Sequence, residues 1–334
     1  MDNKLELYDV TIIGGGPAGL FSAFYSGMRE MKTKVIEYLP FLGGKIPYFY
    51  PDKVIRDIGG IHAITGSKLT EQLTEQAKTF DPTIVLERQV ERLEKLDNGN
   101  FILTDNMGDR HYTRTVVIAT GFGSLKSVEL TLPNASQYKN KNLHYFVQEL
   151  EHFRDKQVVI SGGGNSAIDW ANELESIAKS VTLLYRKQEF SGLESNVTRM
   201  KNSTVTIHTP YVIAELIGDD HHISSITAKN IQSGKAKSIE LDELIVNHGF
   251  EIDLGDMAEW GMKMKDGTIA VDGNMQTSIP GIYAVGDIAN SPTKLSLIAG
   301  GFNEGPLAIN CAKQHISPEQ NLEKLYSTSM DVFD

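Results

Sequence analysis

The chain has 334 residues, of which 40% are hydrophobic and 22% charged, enough for two domains with buried cores. Its formal net charge of −11 argues against nucleic acid or an anionic membrane as the main partner, and no apolar run approaches the ~18 residues of a membrane span. The single cysteine, Cys311, excludes an intramolecular dithiol, and no Cys-Cys or Cys-His metal spacing is read in the sequence. It lies in an apolar helix-like stretch and is expected to be a buried small hydrophobe, and no metal is expected. The N-terminal residues lack the basic, apolar and small-residue order of a secretory signal, so a cytoplasmic protein is expected.

The first element is an apolar strand-like run ending at Thr11-Ile12-Ile13. It meets Gly14-Gly15-Gly16-Pro17-Ala18-Gly19 and then a helix-like segment. This order predicts a strand, a tight turn and a helix N-terminus, where a dinucleotide pyrophosphate can sit against free N–H groups. Val35-Ile36-Glu37 ends the next strand, 23 positions after Gly14. A carboxylate there accepts from the ribose hydroxyls of an adenosine without a 2′-phosphate. An amphipathic helix over 66–80 follows, then a meander of short strands at 84–86, 90–96 and 101–104. Thr115 to Gly121 returns a strand to the sheet.

The second unit repeats the pattern. Gly162-Gly163-Gly164-Asn165-Ser166-Ala167 follows an apolar run, and Val181 to Lys187 ends the next strand, with Gly162 and Tyr185 again 23 positions apart. Here the strand end carries Arg186 and Lys187, which suit a 2′-phosphate. The first site therefore reads as FAD and the second as NADPH. His221-His222 falls in a polar turn and is expected to be solvated, and Leu244 to Phe250 closes the unit.

Thr277 to Asp287 is a short strand ending in Gly-Asp, where Asp287 can accept from a polyol hydroxyl, here the ribityl chain of FAD. A helix-like run from Leu295 to Lys313 follows, and its N-terminus at 293–298 would favour negative charge on the flavin ring. Ser317-Pro318-Glu319-Gln320 reads as a cap, a Pro at N1 and a capping-box Gln, starting a short helix that ends near Leu325. Since Asp287 belongs with the first fingerprint, the second domain is inserted in the first. The expectation is an α/β fold of two Rossmann-like, doubly wound, three-layer nucleotide-binding domains: 1–120 plus 250–334 for FAD, and 121–249 for NADPH. The crossings near 120–124 and 248–252 make a hinge for domain rotation.

Along nearly its whole length the chain resembles the low-molecular-weight thioredoxin reductases, through the two fingerprints, the insertion, the Thr120-Gly121 return and Gly286-Asp287. Those enzymes carry Cys-x-x-Cys where this chain has Tyr145-Phe146-Val147-Gln148, so dithiol chemistry of that kind is excluded. The chain is most similar to the thioredoxin-reductase-type ferredoxin/flavodoxin–NADP+ reductases of bacteria. The similar stretches are Thr11 to Pro17, Glu37-Tyr38-Leu39-Pro40, Leu42-Gly43-Gly44, Tyr50-Pro51-Asp52-Lys53, Asn142 to Val147, Ile245 to Phe250 and Tyr326 to Ser329.

That resemblance implies FAD contacts at Gly14, Gly16, Pro17, Ala18, Gly19, Glu37, Gly44, Lys45, Tyr50, Val90, Gly121, Leu125, Asp287 and Thr328, those of Val90 and Leu125 through backbone or apolar packing. NADPH contacts are implied at Gly162, Gly164, Asn165, Ser166, Arg186 and Lys187. Tyr50 would stack on one flavin face, and Tyr326, on a tail crossing a homodimer interface, would cover the other face of the partner's flavin. Three positions depart from the family: Lys45 where glutamine is frequent, and Tyr185 and Lys187 where His and Arg are frequent. The implied reaction needs no protein acid or base: a hydride passes between NADPH and flavin N5, and single electrons pass to a ferredoxin or flavodoxin. Two rival readings stay open, an NADPH-dependent flavin reductase of quinone or oxygen and a non-enzymatic FAD redox sensor. Arg29, Lys32, Lys34, Lys53 and Arg56 are candidates for a basic docking patch.

Overall fold

The computed structural model describes residues 5–139, 141–147, 149–319, 326 and 328. The chain divides into two compact units, Met1–Ser124 with Ile252–Asp334, and Leu125–Glu251, and passes between them twice.

In the first unit the strand Leu7–Ile13 pairs in parallel with Thr33–Ile36 on one side and with Arg110–Ile118 on the other. Thr83–Val85 extends the sheet beyond Thr33–Ile36. The nine-residue strand Arg110–Ile118 divides its far edge: its first half pairs antiparallel with the meander Phe101–Asp105, and its last half pairs in parallel with Ile282–Ala284. That last pairing returns the C-terminal segment, and with it Asp287, to the sheet that carries the first fingerprint. Both sheet faces are covered, which is why these strands are apolar at successive positions instead of alternating. Val10, Ile12, Val35 and Val117 pack into one core with the helices Pro17–Met28, Gly66–Lys78 and Ile298–Ile316. Ile13, Ile36, Val116 and Ile118 pack into another with Met257, Met262 and Ile269. The helix Gly66–Lys78 buries Leu69, Leu73 and Ala77, the stripe its spacing predicts.

The second unit has a five-stranded parallel sheet in the order Leu143–His144, Glu243–Asn247, Gln157–Gly162, Ser180–Leu184, Thr206–His208. Val158, Ile160, Val181, Leu183 and Ile245 face the side of the helix Asn165–Leu174, packing with its Ala167, Ile168 and Ala171. Val159, Leu184, Leu244 and Val246 face Ile213, Ile223, Ile226 and Ala228 of an antiparallel three-stranded sheet. The layers are therefore helix, parallel sheet and antiparallel sheet. The helix expected from Leu295 begins at Ile298, and the short helix expected from Ser317 to near Leu325 lies largely outside the described residues.

Candidate functional site

The first fingerprint joins strand Leu7–Ile13 to helix Pro17–Met28, and its three glycines have different causes. Gly14 has φ +105°, and a Cβ there would lie 2.5 Å from the Ala119 carbonyl oxygen; the left-handed turn against the returning strand requires glycine. A Cβ on Gly19 would lie 2.0 Å from the Gly14 oxygen, so that glycine lets helix and turn touch. Gly16 is different. Its backbone is extended (φ −76°, ψ −178°), and the nearest atom to a Cβ there is the Gly44 Cα at 3.9 Å. Nothing in the protein demands glycine at Gly16, and the open space beside it fits the close approach of a pyrophosphate. Pro17 opens the helix at N1, and its first turn carries no acidic residue to compete with an anion.

Glu37 is 6% exposed, and its carboxylate closes this turn. Oε2 accepts from the Gly15 N–H at 2.5 Å and Oε1 from the Leu39 N–H at 2.8 Å. Burial raises its pKa, against the lowering effect of those N–H donors. Each oxygen keeps a lone pair for a ribose hydroxyl.

The Gly286-Asp287 turn stands beside the same helix end: a Cβ on Gly286 would lie 3.1 Å from the Ala18 Cβ. Asp287 Oδ2 accepts from Lys45 Nζ at 2.8 Å, and the same ammonium lies 4.0 Å from the Phe122 ring centroid. A Cβ on Gly121 would meet the Lys45 side chain at 3.5 Å, so Gly121, Lys45 and Asp287 line one space. Tyr50 is half-buried, and its phenol is pushed up to about 12 by burial first and by the Asp287 and Asp57 charges next. The fold thus gathers Gly14, Gly16, Pro17, Ala18, Gly19, Glu37, Gly44, Lys45, Gly121 and Asp287, with Tyr50 near enough to feel the Asp287 charge. It does not gather all of the residues named from sequence. The Val90 side chain is buried in the core that holds Met257 and Ile269. Tyr326 is 60% exposed and Thr328 is exposed; neither hydrogen-bonds a described residue. Leu125 falls in the other unit.

The second fingerprint repeats the steric logic. A Cβ on Gly162 would lie 2.5 Å from the Asn247 oxygen and 2.9 Å from the Ala167 Cβ, whereas one on Gly164 meets only Ser191 Oγ at 4.0 Å. The open position again opens a helix whose first turn has no acidic residue. Asn165 Oδ1 accepts from the Leu193 N–H at 2.9 Å, fixing the following loop, and Ser166 is exposed. Tyr185 lies against Gly163, where a Cβ would come within 2.3 Å of its ring, and stacks on Phe190 at 5.4 Å. Arg186 and Lys187 are exposed beyond it. Sequence reasoning missed His248. Its Nε2 lies 2.8 Å from Ser161 Oγ, and its pKa is lowered by loss of hydration and then by the Arg186 charge. The signal was its place directly after the strand that flanks Gly162.

At the opposite end of that sheet, Glu243 lies 2.6 Å from His144 Nε2, 3.0 Å from His152 Nε2 and 2.5 Å from Lys156 Nζ. The two histidines and the carboxylate stand close enough together to face one cation, and the Lys156 ammonium already supplies that charge. His221 and His222 are exposed.

Two expectations need correction. Arg29 and Lys34 are only 7% and 9% exposed, with Lys34 Nζ 3.3 Å from His111 Nδ1 and 4.1 Å from the Tyr8 ring centroid, so neither lines a docking patch. The sequence hid this because the cover is long-range: Lys34 lies on an interior strand, and the Tyr8 ring of the neighbouring strand lies against its ammonium. Cys311 is partly rather than fully buried; it packs against the core of the first unit, and burial raises its thiol pKa.

Comparison with known proteins agrees with this geometry. The family model described as pyridine nucleotide-disulphide oxidoreductase matches residues 8–314. A Bacillus velezensis protein named ferredoxin–NADP reductase 1 is 54% identical over 328 residues, covering 98% of each chain. A Listeria monocytogenes protein of the same name is 51% identical over the same length and coverage. Among solved structures, Lactococcus lactis thioredoxin reductase superposes with a TM-score of 0.82 at 26% identity, over 93% of this chain and 99% of that one. With two open glycine cradles in the fold, and a match that runs through both, the chain belongs to the pyridine nucleotide-disulphide oxidoreductase family.

Proposed function

We propose that the chain is an FAD-dependent ferredoxin–NADP+ reductase, with ferredoxin or flavodoxin as its one-electron carrier. The observation that carries this reading is a thioredoxin-reductase-like fold with two nucleotide cradles and one cysteine, Cys311, with Tyr145-Phe146-Val147-Gln148 in the sequence where, by resemblance, the dithiol enzymes carry Cys-x-x-Cys. The relatives named ferredoxin–NADP reductase, about half identical over nearly the full length, support the same acceptor. Bound FAD would supply hydride acceptance from NADPH and release of electrons one at a time.

The chain's own residues bind and orient. Gly16 and the N-terminus of Pro17–Met28 receive the FAD pyrophosphate, with Gly14, Ala18, Gly19 and Gly44 shaping the turn. Glu37 accepts from the adenosine ribose and Asp287 from the ribityl chain, while Lys45 and Gly121 close the space beside Asp287. Tyr50 keeps water from one flavin face, Tyr326 covers the other face of the partner's flavin across the dimer interface, Thr328 contacts FAD, and Val90 and Leu125 contribute through backbone or packing. Gly162, Gly164, Asn165 and Ser166 receive the NADPH pyrophosphate. Arg186, supported by Lys187, selects the 2′-phosphate. The FAD domain is 1–120 plus 250–334 and the NADPH domain 121–249, in a cytoplasmic homodimer. Among the described residues no helix is long and apolar enough to cross a membrane.

Anaerobic NADPH is expected to bleach the holoprotein's flavin, and ferredoxin or flavodoxin to restore the colour while a disulfide substrate leaves it bleached. Restoration by the disulfide, or by quinone alone and not by either carrier, would refute this acceptor.

A further inference from the structure

We infer that Lys294 and Glu304 form a clip that sets the Gly286-Asp287 turn, making both positioning residues for the carboxylate at Asp287; the inference rests on the FAD reading of that site. Glu304 lies within the helix Ile298–Ile316 and is buried; its Oε2 accepts from the Gly286 N–H at 2.7 Å. Lys294 Nζ donates to the Gly286 carbonyl oxygen at 2.7 Å and to the two Glu304 oxygens at 2.6 and 2.7 Å. One ion pair therefore holds both backbone polar groups of a single residue.

That residue has φ +72°, in the left-handed region, so the turn is one of several the chain could take there, and outside contacts select it. The clip is anchored on the fingerprint side as well. A Cβ on Gly301 would lie 3.0 Å from the Ala18 Cβ, and one on Gly305 2.5 Å from Ser22 Oγ, so the helix carrying Glu304 rests directly on the first turns of Pro17–Met28. The pyrophosphate end and the ribityl end of the cradle are thereby fixed to one helix. An ion pair this little exposed, 14% and 10% for the two side chains, is a weak source of stability, because desolvation offsets much of its attraction. Positioning accounts for its placement better than stability does.

The test uses full-length apoprotein. Lys294→Met combined with Glu304→Met removes the clip, including the acceptor of the Gly286 N–H, without leaving a lone buried charge; Lys294→Arg keeps a cation, and Asp287→Asn removes the carboxylate being positioned. Hydrogen exchange at the Gly286 amide, the thermal midpoint without FAD, and the FAD dissociation constant are measured for each. The double variant is expected to melt close to the parent, to exchange Gly286 faster and to bind FAD at least tenfold more weakly, with Lys294→Arg recovering part of that affinity. The inference is overturned if the double variant keeps parental exchange at Gly286, or binds FAD as the parent does. It is also overturned if its weaker binding merely follows a lower thermal midpoint with no recovery in Lys294→Arg. Failure of the FAD reading looks different: the parent apoprotein itself then takes up no FAD, or Asp287→Asn binds it unchanged.

Discussion

Gly14 and Gly16 are two residues apart in one fingerprint, yet the structure predicts opposite consequences for the same added methyl group. At Gly14 an alanine would have to hold φ +105° with its Cβ 2.5 Å from the Ala119 carbonyl oxygen. The left-handed backbone costs about 1–3 kcal/mol and the overlap about as much again, so Gly14→Ala is expected to destabilise the first unit by about 2–6 kcal/mol even without cofactor. At Gly16 the backbone is extended and the nearest atom is 3.9 Å from the new Cβ. The loss of a glycine cap and the reduced freedom of the unfolded chain nearly cancel, leaving apoprotein stability within about 1 kcal/mol of the parent. The methyl would instead occupy the space a pyrophosphate needs, costing about 1–3 kcal/mol of binding, or about 5- to 150-fold in FAD affinity. Chemical denaturation of both apoproteins, beside titration of FAD by quenching of its fluorescence, separates the two effects. If Gly16→Ala bound FAD normally, or lost as much apoprotein stability as Gly14→Ala, the assignment of the open cradle to the cofactor would be wrong.

Further outcomes follow from the same geometry. Glu37→Ala leaves the Gly15 and Leu39 N–H groups without their carboxylate acceptor, so the apoprotein should lose about 1–3 kcal/mol per buried donor in denaturant titrations, with FAD affinity falling further. Arg186→Ala should raise KM for NADPH about 10- to 150-fold, the worth of a hydrogen bond to a charged group, and that for NADH little; equal effects would remove Arg186 from 2′-phosphate recognition. The raised pKa of Tyr50 means that the unfolded chain ionises first near pH 10. Its contribution to stability is then whole below pH 10 and lost as pH rises toward about 12, so Tyr50→Phe should flatten the alkaline fall in stability over that window. Cys311→Ala should leave NADPH oxidation intact, and the native thiol should alkylate slowly at neutral pH because burial raises its pKa.

What the sequence made legible was local or periodic. The fingerprints could be read because the contact of Gly19 with the Gly14 oxygen and the open space at Gly16 arise within one strand-turn-helix unit, and the same kind of unit recurs at Gly162 to Ala167, whereas the clashes of Gly14 with Ala119 and of Gly162 with Asn247 come from distant returning strands. The return of Asp287 to the first sheet could be read because Ile282–Ala284 is short, apolar and bounded by Gly281 and Gly286. Long-range environment was not legible. Lys34 looks like a surface lysine until Tyr8 and His111 close over it, and Arg29 like a helix-end cation until its surroundings bury it. The Lys294–Glu304 clip escaped because a lysine and a glutamate ten positions apart carry no pattern; only the turn before the helix brings them onto Gly286. Helix Ile298–Ile316 starts three residues after Leu295 because Leu295 and Leu297 are exposed in the preceding turn, so their apolar character did not mark helix. His248 was missed because its partner Ser161 lies 87 positions away.

The central claim, electron transfer from NADPH to a one-electron carrier without a dithiol, is tested most directly by the initial rate of cytochrome c reduction by holoprotein and NADPH as ferredoxin is varied, with the cytochrome in excess. A rate that rises with ferredoxin, saturates and falls to background without it is the predicted result. A rate independent of ferredoxin and flavodoxin, with NADPH consumed at the same speed by oxygen or quinone, would contradict it.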